Sequence, residues 1–300
     1  MREYTVTQNG AGQRADRFLA KAARDLPPSA LQKAFRKKDV KRNGKPCRAG
    51  ERLSEGDLVR LYAGGVQTPV DSGQLTVDSY GTLDTKRIVF ECGDFLVLHK
   101  PAGVLSQPDF EEMARRYLLN RQPSTVNRPP STVNCQLDFF QPSLCHRLDR
   151  NTEGLLLFAK TAEALRDLTG KIKNREVVKT YRCVVAGVPS PAEGVWRDWL
   201  WKDAREKRVY ARPKPSPGAK EAVLRYRVLR TAGGKSLLEI ELVTGRTHQI
   251  RVQCAARGCP VLGDGKYGAG RKGEPLALCA VRLAFDGRVF QIDKKFPDFD

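Results

Sequence analysis

The 300-residue sequence contains only three histidines, and its eight cysteines include no Cys-x-x-Cys pair. Zinc sites need closely spaced cysteines or histidines, so no metal site is expected. No apolar run approaches the length that spans a bilayer, and the N-terminus lacks the apolar core of a signal peptide, which predicts a cytoplasmic protein. Gly-x-x-x-x-Gly-Lys-Ser/Thr and Gly-x-Gly-x-x-Gly are both absent, so no nucleotide cofactor is expected.

Acidic residues are also in short supply. They number 34 against 53 lysines and arginines, which gives a formal net charge of +19 and a pI of about 9.8. Such an excess attracts polyanions, of which nucleic acid is the commonest, and an anionic membrane surface is the alternative. Because 40% of the residues are hydrophobic, the chain is expected to form one or two globular domains.

Residues 13–62 predict a small separate α+β domain. Apolar residues from Ala15 to Ala23 recur at helical spacing, and Ser29 with Gln32 forms a capping box that predicts the start of a second helix. The turn pair Asn43-Gly44 and a strand over residues 57–62 complete the predicted domain.

This small domain holds 14 basic and 6 acidic residues, and seven of the basic ones fall between Lys33 and Lys45. A charge run is usually only a solvated face. Here the basic residues follow one helix and the next turn while the opposite helix face is apolar, which favours a phosphate-binding surface. The helices and the segments Val40–Lys45 and Gly56–Val59 resemble the small RNA-binding domain named after ribosomal protein S-four. The candidate RNA contacts are Lys33, Arg36, Lys37, Lys41 and Arg42.

Residues 63–86, rich in glycine, serine and threonine, predict a linker, and residues 87–300 predict a second domain. Strand patterns dominate there and helices are few, so the expected fold is α+β, with a mixed, mainly antiparallel sheet and flanking helices. Two segments are interpreted as surface loops: the duplicated Pro-Ser-Thr-Val-Asn at 123–127 and 130–134, and the basic stretch 205–218.

The stretch from Cys145 to Gly154 contains a single aspartate, Asp149, between two arginines and ahead of the apolar run Leu155–Phe158. An arginine can orient such a carboxylate and a dry pocket can strip its hydration, which makes it a candidate nucleophile. The alternative is a loop carboxylate in a surface ion pair.

Two later segments carry further candidates. The period of two along a strand places Lys179 and Tyr181 on the same face. Thr247 is predicted to cap a helix from His248 to Arg257, which places Arg251 in the first turn.

Five motifs resemble, in this order, those of the A-type (RluA) family of pseudouridine synthases, which modify ribosomal or transfer RNA. The resemblance covers residues 87–300 and implies an enzyme that breaks the N1–C1′ bond of uridine, rotates the base and joins C5 to C1′. This isomerisation requires no metal, cofactor or redox change. The motifs are Lys100-Pro101-x-Gly103, His146-Arg147-Leu148-Asp149-x-x-Thr152-x-Gly154-Leu155, Lys179-Thr180-Tyr181, Arg246-Thr247-His248-Gln249-Ile250-Arg251 and Gly263-Asp264-x-x-Tyr267-Gly268.

The resemblance also implies residue roles. Asp149 is the catalytic residue, acting at the ribose or, through a glycal-type path, on the base. Arg251 pairs with Asp149 and holds it ionised. Tyr181 lies against the uracil and assists removal of the C5 proton. Arg147, with His146 beside it, contacts the RNA where the target base leaves the stack. The partner is ribosomal RNA, or else transfer RNA, and the protein is expected to act as a monomer.

Three residues depart from the family pattern. Glu153 occupies a position where serine is usual, Gln253 a position where histidine is common, and Gln107 a position before Pro108 where histidine is usual. Two other functions remain open on the sequence alone. One is a non-catalytic RNA-binding or ribosome-assembly factor on the same fold, and the other is a nucleoside hydrolase, which the positive charge disfavours.

Overall fold

The structure is a computed structural model that describes residues 1–23, 26–62, 81, 83–121, 140–268, 270, 273–297 and 299. The chain divides into two compact units. The first comprises Met1–Gly81, Leu118–Pro142 and Thr161–Glu163, and the second comprises the rest. Most of the predicted linker and all of the Pro-Ser-Thr-Val-Asn duplication lie outside the described residues. Across the described ranges, no helix is both long enough and apolar enough to cross a membrane.

The first unit contains a four-stranded sheet and two helices. The strand order is β1-β4-β2-β3, and β1 precedes the predicted start of the domain at residue 13. The domain boundaries 13–62, 63–86 and 87–300, and the likeness to the S-four module, stay predictions. The elements are β1 (Arg2–Thr5), α1 (Ala15–Ala22), α2 (Pro28–Arg36), β2 (Val40–Arg42), β3 (Lys45–Pro46) and β4 (Leu58–Leu61).

The predicted helix faces are the buried ones, because Phe18, Leu19 and Leu31 enter one apolar cluster with Val59 and Leu61. The Asn43-Gly44 turn joins β2 to β3 with both residues at positive φ, 48° and 82°. This is the backbone that a two-residue hairpin with right-handed twist requires.

The predicted capping box of α2 is wrong. The helix begins at Pro28 after an extended Pro27, and no side chain caps its N-terminus. Because the proline lies in the first turn, it fixes the start of the helix one residue before Ser29.

The second unit is built on a mixed, mostly antiparallel sheet with few helices, as predicted. The strand order is β11-β10-β12-β13-β9-β14-β8-β6-β5, with β15 on β14 and β7 on β8. Its elements, with α3 and α4 lying mostly in this unit, are β5 (Ile88–Glu91), β6 (Phe95–Lys100), α3 (Glu111–Asn120), β7 (Ser143–Leu144), β8 (Glu153–Ala159), α4 (Ala162–Lys173), β9 (Val178–Ala186), β10 (Glu193–Asp203), β11 (Arg208–Arg212), β12 (Lys220–Ala232), β13 (Lys235–Leu242), α5 (Gln249–Ala255), β14 (Leu278–Phe285) and β15 (Arg288–Gln291).

The interpretation of residues 205–218 as a loop is wrong in part, because β11 crosses this stretch and pairs with β10. Val209 is buried against Leu200 and Ala222, so the alternation in Arg-Val-Tyr-Ala-Arg serves a strand. The prolines and charges that follow the strand had obscured this short alternation.

One row of residues crosses the middle of the sheet. Tyr181 on β9 pairs with Ala280 on β14, Ala280 pairs with Gly154 on β8 in parallel, and Gly154 pairs with Lys100 on β6. Gly154 has a φ of 130°, and a Cβ there would lie 2.4 Å from the Ala280 carbonyl oxygen. Only glycine lets β8 approach β14 this closely, so Gly154 fixes the distance between Tyr181 and the loop that precedes β8.

Glu153, the first residue of β8, is an ion-pair centre. Its carboxylate lies 2.9 Å from His99 Nε2 and 2.7 Å from Lys294 Nζ. The hydrogen bond from His99, followed by that from Lys294, lowers the pKa of Glu153 to about 2. The departure from serine therefore ties β6 and the C-terminal segment to the start of β8.

Replacing Gly154 with alanine is expected to destabilise the protein by more than about 3 kcal/mol, because the new Cβ collides with backbone at a positive φ. Gly170→Ala in α4 is the matched control. A methyl group at residue 170 would meet no atom within 4 Å, so this change should stabilise the protein by about 0.5–1 kcal/mol. Urea unfolding measures both, and a Gly154→Ala protein as stable as the wild type would contradict this account of the sheet.

The Glu153 ion pairs predict a pH-dependent effect of Glu153→Gln. The folded pKa of about 2 lies below the ordinary 4.5, so the stabilisation is complete above pH 4.5 and is lost as the pH falls toward 2. The variant should be less stable by about 1–3 kcal/mol at pH 7, and this gap should narrow by about 1 kcal/mol at pH 3.5. A gap that is constant with pH would show that charge is not what Glu153 contributes.

Candidate active site

A cavity of about 1100 Å³ opens in the second unit, where the loop before β8, strand β9 and the start of α5 meet. Asp149 is the one carboxylate among its described lining residues. Such a wall of cations around a single anion suits a polyanionic ligand. The cationic side chains of the lining are Arg147, Arg150, Lys173, Arg175, Lys179, Lys202, Arg246 and Arg251.

The loop that carries Asp149 is held through the backbone of its neighbours. The buried Ser106 hydroxyl donates to the Leu148 carbonyl at 2.8 Å and accepts from the Leu148 amide at 3.0 Å. The Thr152 amide donates to the Asp149 carbonyl at 3.1 Å, which closes a turn. The Asp149 side chain keeps 27% of its surface exposed, so it is fixed by its backbone and remains accessible from the cavity.

Lys100 supports this loop from beneath. It is fully buried at the end of β6 and its ammonium donates to the carbonyls of Pro101, Val104 and Arg150 at 2.7–3.1 Å. Burial lowers the pKa of Lys100 to about 8, although the Asp149 and Glu153 charges oppose this shift. The lysine thus joins the turn after β6 to the residue that follows Asp149.

Arg251 connects two carboxylates. Its Nε and Nη2 donate to the two oxygens of Asp264 at 2.7 and 2.8 Å, and its Nη1 donates to Asp149 Oδ2 at 3.3 Å. Asp264 is 1% exposed and also accepts from the amides of Lys266 and Tyr267. The fork of Arg251 is therefore fixed by the buried Asp264 and leaves one nitrogen for Asp149.

Helix α5 places Arg251 in its first turn, as predicted, but the predicted cap is wrong. The helix begins at Gln249, and His248 before it has a left-handed φ of 54° with no side-chain cap. The Gln249 side chain ties the start of α5 to the preceding turn, because its Oε1 accepts from the Arg246 amide and from the Thr244 hydroxyl.

The left-handed backbone turns the His248 ring toward Asp149. Its Nε2 lies 3.9 Å from Asp149 Oδ2, and its Nδ1 is 2.7 Å from the Tyr267 hydroxyl. That hydroxyl accepts from the Val209 amide at 3.0 Å. Burial lowers the pKa of His248, so the imidazole is neutral at pH 7.

Tyr181 lines the cavity from β9 and is 6% exposed. Burial, with the Asp149 and Cys279 charges, raises the pKa of its phenol well above the usual value. Tyr181 is therefore a neutral phenol at physiological pH. It can offer a flat ring and a hydroxyl to a ligand, whereas its phenolate is not populated as a base.

Arg147 and His146 also line the cavity, but they differ in character. Arg147 is exposed, and within the described chain it has no hydrogen-bond or ion-pair partner. His146 is half-buried and its Nε2 accepts from the Leu157 amide at 3.2 Å. Burial and the Lys179 charge lower the pKa of His146 to about 3, so its ring brings no positive charge to RNA.

The basic candidates of the first unit are not equivalent either. Lys33, Arg36 and Lys37 are exposed along α2 and at its C-terminus. Lys41 is half-buried with its ammonium 4.9 Å from the centre of the Tyr62 ring. Arg42 is engaged by Asp57 at 2.6 Å and Glu51 at 3.1 Å, so its guanidinium supports the domain itself.

Of the other two residues that depart from the family pattern, Gln107 lines the cavity and Gln253 does not. Gln107 donates to Glu111, which in turn accepts from the Leu144 amide. Gln253 is fully buried on the far side of α5 and donates to Asp198 at 2.6 Å. Among the residues that the structure describes, no group of three or more potential ligands is placed to hold a metal ion.

Three residues with clear positions at the site were quoted in motifs but given no role by the sequence: Lys100, His248 and Asp264. Lys100 and His248 lie against the loop that carries Asp149, and Asp264 binds Arg251, in each case through residues that are not neighbours in the sequence. Local patterns do not report such contacts. For Asp264 the sequence did offer a signal, because this charged residue lies between two glycines within a motif.

Comparison with known proteins agrees with this geometry. A model of the RNA pseudouridylate synthase family matches residues 94–256. An uncharacterized RNA pseudouridine synthase of Mycoplasma pneumoniae is 31% identical over 98% of this chain and 90% of its own. The ribosomal large subunit pseudouridine synthase C of Vibrio parahaemolyticus is 30% identical over 88% and 79% of the two chains.

The fold has the same relatives. Human RNA pseudouridylate synthase domain containing 4 superimposes with a TM-score of 0.57 over 70% of this chain and 88% of its own, at 22% identity. The chain therefore belongs to the RNA pseudouridylate synthase family, in its RluA-type branch, and is an isomerase that converts uridine in RNA to pseudouridine.

Proposed function

We propose that the target uridine of ribosomal RNA is bound in the cavity around Asp149 and isomerised there. The observation that carries this proposal is the pairing of Asp149 with Arg251 at 3.3 Å in a cavity whose other charged lining residues, in the described chain, are all cations. Ribosomal RNA is the favoured substrate because the Vibrio relative is a ribosomal large subunit enzyme. On this proposal the enzyme works as a monomer in the cytoplasm.

In the reaction the N1–C1′ bond breaks, C5 joins C1′, C5 loses its proton and N1 gains one, so the product has the composition of the substrate. Asp149 supplies the carboxylate that attacks C1′. In a glycal-type path it instead removes the C2′ proton as the uracil leaves and returns that proton when C5 joins C1′. Arg251 orients this carboxylate in either case, since it donates a charge-assisted hydrogen bond to Asp149 Oδ2.

Tyr181 supplies the surface on which the uracil rests while it rotates. Its ring faces the cavity from a rigid strand, and its high pKa keeps it uncharged beside Asp149. Proton removal from C5 is therefore assigned to another group than a Tyr181 phenolate. Arg147, exposed at the same cavity, fills the space that the flipped base vacates, which offsets a few kcal/mol of unstacking.

The first unit contributes RNA affinity through exposed basic side chains. Lys33, Arg36 and Lys37 are the side chains best placed for phosphates, because they are exposed on one helix. We assign Lys41 and Arg42 secondary roles, since Arg42 is held by two carboxylates. Deleting the residues before Ala63 should weaken RNA binding and reduce its salt dependence.

Asp149→Asn is expected to abolish pseudouridine formation, by at least about 10³-fold, because an amide is neither a nucleophile nor a base at this position. RNA affinity should change by less than about threefold, since the cations of the cavity remain. Pseudouridine mapping of total RNA from cells with the wild-type gene, the variant or no gene measures activity and identifies the target together.

Two outcomes would contradict the proposal. A variant that still isomerises uridine would remove Asp149 from the chemistry. A pseudouridine map that is identical with and without the gene would favour a non-catalytic RNA-binding factor.

Asp264→Asn tests whether Arg251 depends on its buried partner. Without the negative charge of Asp264, Arg251 should move away from Asp149. This should lower kcat by about 10–100-fold with little change in KM. Asp198→Asn is the matched control, because Asp198 pairs with Arg257 just after α5 at 2.8 Å and does not line the cavity. If both variants lose thermal stability but only Asp264→Asn loses kcat, the effect is positional. Equal losses of kcat would show a general structural effect.

A further inference from the structure

Lys100 and Lys179 of the second unit are both buried, but they differ in their hydrogen-bond partners. Lys100 is 0% exposed and donates to three carbonyls. Lys179 is 8% exposed, and within the described chain its ammonium has neither a hydrogen-bond acceptor nor a carboxylate. The side chain is largely buried but lines the cavity. An ammonium in such a place, without a partner in the chain, can pair with an anion that enters the cavity.

The position of Lys179 indicates where that partner would lie. It lines the cavity two residues before Tyr181 on the same face of β9, which separates the two Cα atoms by about 6.7 Å. Its Nζ reaches the turn before α5, since a Cβ on Gly245 would be 3.9 Å away. Its charge also reaches His146, whose pKa it lowers. The ammonium therefore lies in the wall of the cavity beside the proposed base surface.

We propose that Lys179 is a phosphate-binding residue of the active site, which pairs with a backbone phosphate adjoining the target uridine. This inference rests on the proposed binding of the uridine at Asp149 and Tyr181. Arg175, which follows α4, is exposed, lines the same cavity and lacks a partner in the described ranges, so it extends the same site toward the RNA backbone.

A phosphate fits this place better than a uracil carbonyl does. The cavity of about 1100 Å³ exceeds the ~300–1,000 Å³ of ordinary small-ligand pockets, so it has room for the nucleotide backbone as well as the base. Burial lowers the pKa of Lys179, and an anion beside it would oppose this shift. A neutral carbonyl would leave the same charge uncompensated.

The first experiment compares uridine, uridine 3′-monophosphate and uridine 5′-monophosphate by calorimetry at low salt. Wild-type protein should bind one of the two monophosphates about tenfold more tightly than uridine. Lys179→Met should reduce this preference to less than about twofold, and Lys179→Gln provides a second neutral variant if the first does not fold. Lys295→Met is the charge-matched control, because Lys295 is exposed and does not line the cavity.

The second experiment uses a 20-nucleotide oligouridylate. The slope of log K against log salt concentration should decrease in magnitude by about 0.7 for Lys179→Met, the amount expected for one phosphate contact on a single strand. The same variant should melt no lower than wild type, because within the described chain the Lys179 ammonium has no hydrogen-bond or ion-pair partner to lose. Lys100→Met should instead melt lower, since it leaves three carbonyls without their donor.

The proposal is overturned if neither monophosphate is preferred over uridine by the wild type, or if both Lys179 variants keep the preference and the salt slope. A loss of uridine affinity with the phosphate preference intact would assign Lys179 to the base and also overturn it. None of these readouts involves turnover. An active Asp149→Asn enzyme would therefore defeat the proposed chemistry without altering them.

Discussion

The site depends on how one guanidinium is divided between two carboxylates. Asp264 is buried and holds Arg251 with two short hydrogen bonds, while Asp149 is partly exposed and receives a longer third one. The stronger pair fixes the direction of the arginine, and the weaker one leaves the lone pairs of Asp149 available to a substrate. A buried ion pair gives little net stability. Here the pair holds the charged guanidinium of Arg251, a side chain that would otherwise be mobile, in one position.

The same separation of support from chemistry recurs around the cavity. Lys100, Ser106 and Gly154 hold the loop that carries Asp149 and the strand that follows it, through contacts with backbone atoms. Among the described lining residues, the charged ones are eight cations and one carboxylate, and Tyr181 adds an uncharged phenol. This composition matches an isomerisation of a polyanion, in which the enzyme must bind charge and yet keep a single anion near C1′.

The sequence predicted the parts of the fold that local periodicity controls. Helix α4, the Asn43-Gly44 hairpin, the buried strand β8 and the α+β class all follow from patterns within a few residues. It missed the start of α2, which the local Pro28 sets. It also missed the strand β11, which depends on pairing with the distant β10, and the left-handed His248 in place of a threonine cap. Asp149, Tyr181 and Arg251 were grouped through the family motifs, and the structure brings them to one cavity. Asp264 and Lys179 gain their meaning only from burial and from the presence or absence of partners.

The central claim is that Asp264 acts on the reaction through Arg251 and not independently of it. A double-mutant cycle of Asp264→Asn and Arg251→Gln, read as single-turnover rates of pseudouridine formation, tests this directly. If the claim holds, the double variant is no slower than Arg251→Gln alone, because the arginine that Asp264 orients is already absent. Rate losses that multiply, as two independent effects would, contradict it.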